Sequence, residues 1–111
     1  MRVAYYTKLG AARDVLHIGE VDTPSPGPGE IRVRVHVSGV NPSDWKARLR
    51  GRGAGLPFSM IIPHSDGAGI VDAVGEGVDV RRVGQRVWVM NAQWQRPFGT
   101  AAEYTYCLSS F

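Results

Sequence analysis

The chain has 111 residues, of which 43% are apolar and 21% charged. That is enough for one globular domain with a modest core and leaves little room for a second. A formal charge of +3 is spread along the chain except at Lys46–Arg52 (KARLRGR), which reads either as a solvated helix face and loop or as a rim facing an anion. No strongly basic surface of the kind that binds nucleic acid is expected. Cys107 is the single cysteine, so neither an intrachain disulfide nor a cysteine-based zinc finger is possible within the chain, and a reducing cytoplasm is the expected setting. No apolar stretch follows the N-terminal arginine as in a secretory leader, and none approaches the roughly 20 apolar residues of a membrane span, so no membrane partner is expected.

Fourteen glycines and seven prolines fall between short β-rich runs, a pattern that favours a mainly β domain. Met1–Tyr6 and Val15–Val21 are predicted as strands around a Lys8-Leu9-Gly10 turn, and Thr23–Gly29 (TPSPGPG) as a crossing loop, because its prolines lack amide donors. In Glu30–Val40, Ile31, Val33, Val35 and Val37 alternate with Arg32, Arg34, His36 and Ser38, predicting a strand with one core face and one wet face that carries His36. Asn41-Pro42-Ser43-Asp44 reads as a helix start, with Asn41 at the N-cap, Pro42 at N1 and Asp44 at N3, the helix running to about Arg50. After a flexible Gly51–Pro57 loop come a long strand at Asp66–Val74 (DGAGIVDAV), whose glycines admit close backbone approach, and a strand at Val87–Met90. Asn91–Gly99 is an irregular loop, and Ala101–Leu108 a final strand.

The glycine pairs Gly51-Gly53-Gly55, Gly67-Gly69 and Gly75-Gly77 do not make a dinucleotide fingerprint. Such a loop follows a strand and opens a helix, whereas Gly67 and Gly69 lie inside a β-run. His17, His36, His64, Asp66 and Glu103 are the side chains to consider for a metal, and none stands at ligand spacing to another histidine. His64, Ser65 and Asp66 do not form a hydrolase relay, because consecutive side chains of an extended segment point alternately apart.

The ordered motifs P-G-x-G-E (Pro26–Glu30), GVNPSDWK (Gly39–Lys46), PHSDGAGIVDAVGEGV (Pro63–Val78), VGQRV (Val83–Val87) and GTAAEY (Gly99–Tyr104) cover nearly the whole chain. They resemble the N-terminal domain of the medium-chain dehydrogenase/reductase superfamily, and more narrowly its zeta-crystallin-like, zinc-free quinone oxidoreductase and enone reductase branch. The resemblance implies a GroES-like, partly open β-barrel with one or two short helices over residues 1–111. It also implies a Rossmann domain beyond this chain, which would bind the dinucleotide and carry a homodimer contact, so the chain alone is expected to be inactive. In the superfamily's zinc enzymes a cysteine stands where Asn41 is, and a Gly-His-Glu triplet where His64-Ser65-Asp66 is. Asparagine and serine are poor zinc ligands, so the resemblance implies no metal.

What the resemblance implies for chemistry is hydride transfer from NADPH or NADH to a small quinone or α,β-unsaturated carbonyl. Asn41, Ser43 and Lys46 would be the catalytic residues, and Asn41, Pro42 and Lys46 would meet the cofactor. Trp45, Phe58 and Met60 would line an apolar acceptor pocket or belong to the core. Asn41 also reads as a simple N-cap, and Lys46 as a solvated helix residue. The other reading of the whole chain is a non-catalytic GroES-like β-barrel used for protein contact or as a folding unit.

Overall fold

The computed structural model describes residues 1–53 and 55–109. Its elements are β1 (Arg2–Tyr5), α1 (Ala12–Val15), β2 (His17–Glu20), β3 (Glu30–Gly39), α2 (Pro42–Arg50), β4 (Asp66–Val74), a 3₁₀ turn at Val80–Arg82, β5 (Arg86–Val89) and β6 (Tyr104–Leu108). β1 and β2 form a two-stranded antiparallel ribbon, and the other strands an antiparallel sheet in the order β5-β4-β3-β6. Isolated bridges tie the two together, Val3 to Ala102 and Tyr6 to Ile61, without closing a barrel. This is the mainly β, partly open architecture expected from the resemblance. Among the described residues no two named strands pair in parallel, so none of them builds a Rossmann sheet.

β3 organises the domain, since it pairs with β4 on one side and β6 on the other. Ile31 and Val33 are fully buried and pack with Val71, Val89, Ala92 and Cys107 into the main core. The alternation fails at Val37. Register shifts at Arg32/Val33 and Val35/Val37 turn the end of the strand, and Val37 is 62% exposed instead of continuing the core face. On the opposite face, Arg32 holds Asp72 of β4 through two hydrogen bonds of 2.9 and 3.1 Å and lies 5.1 Å from the centre of the Tyr104 ring.

A second core of Tyr6, Val15 and Ile61 sits beneath α2, with Leu16, Leu56 and Phe58 packed against it. Here the expected Val15–Val21 strand is corrected. Ala12–Val15 is one helical turn, closed by Val15 N–H to Ala11 O (3.1 Å) and Leu16 N–H to Ala12 O (2.9 Å), and the strand begins only at His17. Val15 reaches the core from that turn, which its β-branched side chain does not announce in the sequence. The final strand is likewise shorter than expected, starting at Tyr104, because Ala101 and Ala102 instead bond back to Pro63 and β1.

Helix α2 begins as its sequence dictates. Asn41 is the N-cap and Pro42 opens the first turn, while the Asp44 carboxylate accepts the Asn41 backbone N–H at 2.7 Å. Gly51, at φ 77°, ends it. Asp44 and Ala47 face inward; Trp45, Lys46 and Leu49 face out.

Glycine is required where backbones meet most closely. A Cβ on Gly69 would collide with the Arg34 carbonyl, as the glycine-thinned strand predicted, and one on Gly99 would strike the carbonyls of Ile62, Pro63 and His64 together. None of those oxygens is the end of a flexible side chain, so the backbone itself would have to move. Gly99→Ala is expected to lower the unfolding free energy by about 1–3 kcal/mol, the usual cost of overpacking, measured as the shift in urea midpoint at constant slope.

Candidate functional site

The end of β3, the start of α2, the segment Ile62–Asp66 and the segment Gly99–Thr100 converge on one spot. Backbone bonds hold the two segments face to face: Gly99 N–H to Ile62 O and Thr100 N–H to His64 O at 2.8 Å, and Ala101 N–H to Pro63 O at 3.0 Å. Ser65 O accepts the Ala92 N–H at 2.9 Å, which fixes the start of the Asn91–Gly99 loop to the same place. Arg96 anchors the rest of that loop, pairing with Glu30 at 2.6 Å and donating to Tyr106 O at 3.2 Å.

At the helix start the Asn41 side-chain amide donates to the Asp66 carboxylate at 2.9 Å. Asp44 is only 3% exposed; one of its oxygens takes the Asn41 N–H, and the other, Oδ1, has no partner among the described residues. Pro42, Ser43 and Lys46 lie on the exposed side of the first turns. Lys46 Nζ stands 5.7 Å from the centre of the Trp45 ring and pairs with no carboxylate among the described residues.

His64 is at the centre of the polar cluster. Its Nδ1 lies 2.8 Å from Ser38 Oγ, which in turn lies 2.8 Å from Thr100 Oγ1, and Thr100 donates to Asp66 O at 2.7 Å. The backbone at His64 is left-handed, φ 78°, so the segment is not extended there as the sequence reading assumed. The relay rejected for His64, Ser65 and Asp66 is indeed absent, and the hydroxyl that His64 meets is Ser38, from another strand. Sequence spacing carries no signal for that pairing; only the register that sets Ser38 opposite Gly67 brings it about. Burial pushes the His64 imidazole below its ordinary value, the Arg48 cation adds to this, and the nearby Asp44 carboxylate only partly opposes it.

Beyond α2 lies an apolar pocket of about 370 Å³, walled by Tyr6, Leu56, Phe58, Ile61, Trp94 and Arg96. Phe58 is therefore at a pocket wall, whereas Trp45 is 41% exposed on the outer face of α2 and neither it nor Met60 lines this pocket. Tyr6, Trp94 and Arg96 carry no joint signal in the sequence, because the residue after β1 and the Asn91–Gly99 loop are far apart in the chain. Burial raises the Tyr6 phenol, against the pull of the Arg52 and Arg48 cations, so it is a neutral O–H at the pocket wall near pH 7.

The molecule is thus a two-sheet β domain that carries a helix N-terminus, a polar cluster and an apolar pocket. Residues 27–110 match the alcohol dehydrogenase GroES-like domain, and the chain belongs to that family. It is 39% identical over 72 residues to the human synaptic vesicle membrane protein VAT-1 homolog, an alignment that covers 63% of this chain and 18% of that protein. Among solved structures, a putative NADPH:quinone reductase from Bacillus thuringiensis superposes with a TM-score of 0.86 at 29% identity, over 99% of this chain and 31% of that one. A 2-haloacrylate reductase superposes with a TM-score of 0.77 at 29% identity, covering 98% of this chain and 30% of that one. The chain thus spans less than a third of each of these two reductases. No helix among the described residues is long and apolar enough to cross a membrane.

The His64 shift sets a stability expectation. An imidazole whose folded value is depressed binds fewer protons folded than unfolded, so its contribution is intact above the unfolded value near 6.5 and is lost as pH falls toward the lower folded value. His64→Asn is expected to lose less stability than the parent chain between pH 7.5 and 5.5, read from urea midpoints at each pH; parallel pH curves would show that His64 is not the titrating group.

Proposed function

We propose that the chain is the substrate-side domain of a cytosolic, zinc-independent NAD(P)H-dependent oxidoreductase that passes hydride to a quinone or an α,β-unsaturated carbonyl. The observation that carries this is the 2.9 Å hydrogen bond between the Asn41 amide and the Asp66 carboxylate. At the two places where zinc relatives hold a metal, this chain has the Asn41 amide and the Ser65 hydroxyl, and the Asn41 amide is already engaged by the Asp66 carboxylate. That donor set does not fit zinc, which is held by thiolate and imidazole together with carboxylate, and His64 is engaged with Ser38. The names of the superposed relatives, a putative NADPH:quinone reductase and a 2-haloacrylate reductase, support the reaction class.

NAD(P)H, when bound, supplies the hydride, and the dinucleotide would be held mainly by the rest of the enzyme. The residues of this chain orient and exclude water. Asn41, pinned through its amide N–H to Asp66 and set beside Pro42 at the helix start, would stand against the nicotinamide. Lys46, exposed and with no carboxylate partner among the described residues, offers a mobile cation to a ribose hydroxyl or to the acceptor oxygen as it gains charge. Ser43 presents a hydroxyl on the same exposed turn. The Phe58-lined pocket would receive the apolar part of the acceptor, and the Tyr6 hydroxyl is a neutral donor there.

In the full enzyme, NADPH oxidation with a quinone or enone is expected to be unchanged by EDTA, and EDTA-sensitive turnover would count against the reading. Lys46→Ala should lower kcat/KM more than tenfold, roughly 1.4 kcal/mol or more of transition-state binding. Unchanged steady-state kinetics would return Lys46 to the solvated surface.

A further inference from the structure

The line of contacts through His64, Ser38, Thr100 and Asp66 is left unused by the proposed hydride transfer, and it has a direction. The Asp66 carbonyl only accepts, so the single hydroxyl proton of Thr100 is committed to it at 2.7 Å. Thr100 therefore meets Ser38 as an acceptor, and the Ser38 proton goes to Thr100 across 2.8 Å. Ser38, its proton spent, can only accept from His64 Nδ1 at 2.8 Å. Each contact receives one hydrogen in this arrangement and in no other. The ring therefore carries its proton on Nδ1, and Ser38 cannot be a nucleophile activated by His64, because its proton points away from the imidazole.

Nε2 is the end left over. It has no partner among the described residues and is not one of the polar atoms sealed from solvent. His64 lines a groove of about 440 Å³ with Val35, Ser38, Thr100 and Ala102, and its left-handed backbone, disfavoured for a residue with a side chain, is held by the backbone bond to Thr100. Burial keeps the ring neutral near pH 7 despite Asp44 on α2, with Arg48 on the same helix acting in concert and Arg2, His36 and Glu103 along the groove.

We infer that His64 is a fixed hydrogen-bond acceptor of the site, its Nε2 lone pair receiving an N–H or O–H donor of the bound ligand. The ligand's class rests on the reductase reading: a nicotinamide carboxamide N–H or the hydroxyl of a reduced quinone. The tautomer does not rest on it. An Nε2 without a proton cannot protonate the acceptor oxygen, so the proton that completes the reduction comes from another group.

Long-range ¹H–¹⁵N spectra of the 111-residue chain labelled at histidine, at pH 7.5, are expected to show a protonated Nδ1 and a bare Nε2 at His64. A ring protonated on Nε2, or an averaged pair of shifts, overturns the inference. Thr100→Val removes the group that commits the Ser38 proton and should move His64 toward the Nε2-protonated form; Ser38→Ala should leave an averaged pair. Rings unchanged in both variants would overturn the directional argument. In the full enzyme, His64→Asn keeps an N–H for Ser38 and tolerates the left-handed backbone but lacks Nε2. It should raise KM for NADPH or for the quinone more than tenfold while kcat stays within twofold. Unaltered KM values would overturn the acceptor role. A full enzyme that oxidises NADPH with neither quinones nor enones sinks the reductase reading and leaves the spectra of the 111-residue chain to decide the tautomer.

Discussion

The site depends on one close approach of main chain to main chain. Because Gly99 has no side chain, the segment Gly99–Ala101 can lie directly on Ile62–His64 and exchange backbone hydrogen bonds with it. That contact fixes the height of Thr100 over Asp66 and the turn at His64, and through them the position of Ser38 and Asn41. Polar groups so placed are costly to bury unless each finds a partner, and nearly all of them do. The exception, Asp44 Oδ1, lies under the helix N-terminus, where the dipole favours a negative charge.

The same arrangement explains how a domain with a modest core supports a rigid site. The Arg96 clamp on Glu30 and Tyr106 O draws the Asn91–Gly99 loop against β3 and β6, so the loop moves with the sheet and not apart from it. The apolar pocket is bounded on one side by that loop and on the other by Tyr6 and Phe58 from the second core. Pocket and polar cluster are thus built on a shared backbone frame, in which the Pro97–Thr100 stretch is bonded to Ile62 and His64.

Much of this was legible in the amino-acid order because local chemistry decides it. Asn41, Pro42 and Asp44 specify a helix start in four residues, and the alternation from Glu30 onward specifies a strand. The motifs from Pro26 to Tyr104 carry the family. What could not be read depends on partners far apart in the chain. Val37 leaves the core because β3 has one residue too many against β4 between Val35 and Val37, which the alternation alone cannot reveal. Ala12–Val15 is a helical turn because Val15 has a pocket to fill, a tertiary effect that overrides its β-preference. His64 has no ligand-spaced histidine in the sequence, and the environment it does have is set by Ser38, 26 residues before it, and by Thr100, 62 residues past Ser38.

Cys107 gives the molecule an internal reporter. It is the chain's single thiol, sits in the main core on β6, and burial raises its pKa, so both access and thiolate fraction are low while the strand is docked. A thiol-reactive dye can reach it only when β6 parts from β3. The rate of modification in native buffer is therefore a clock for that opening event, available without adding any label to the protein's design.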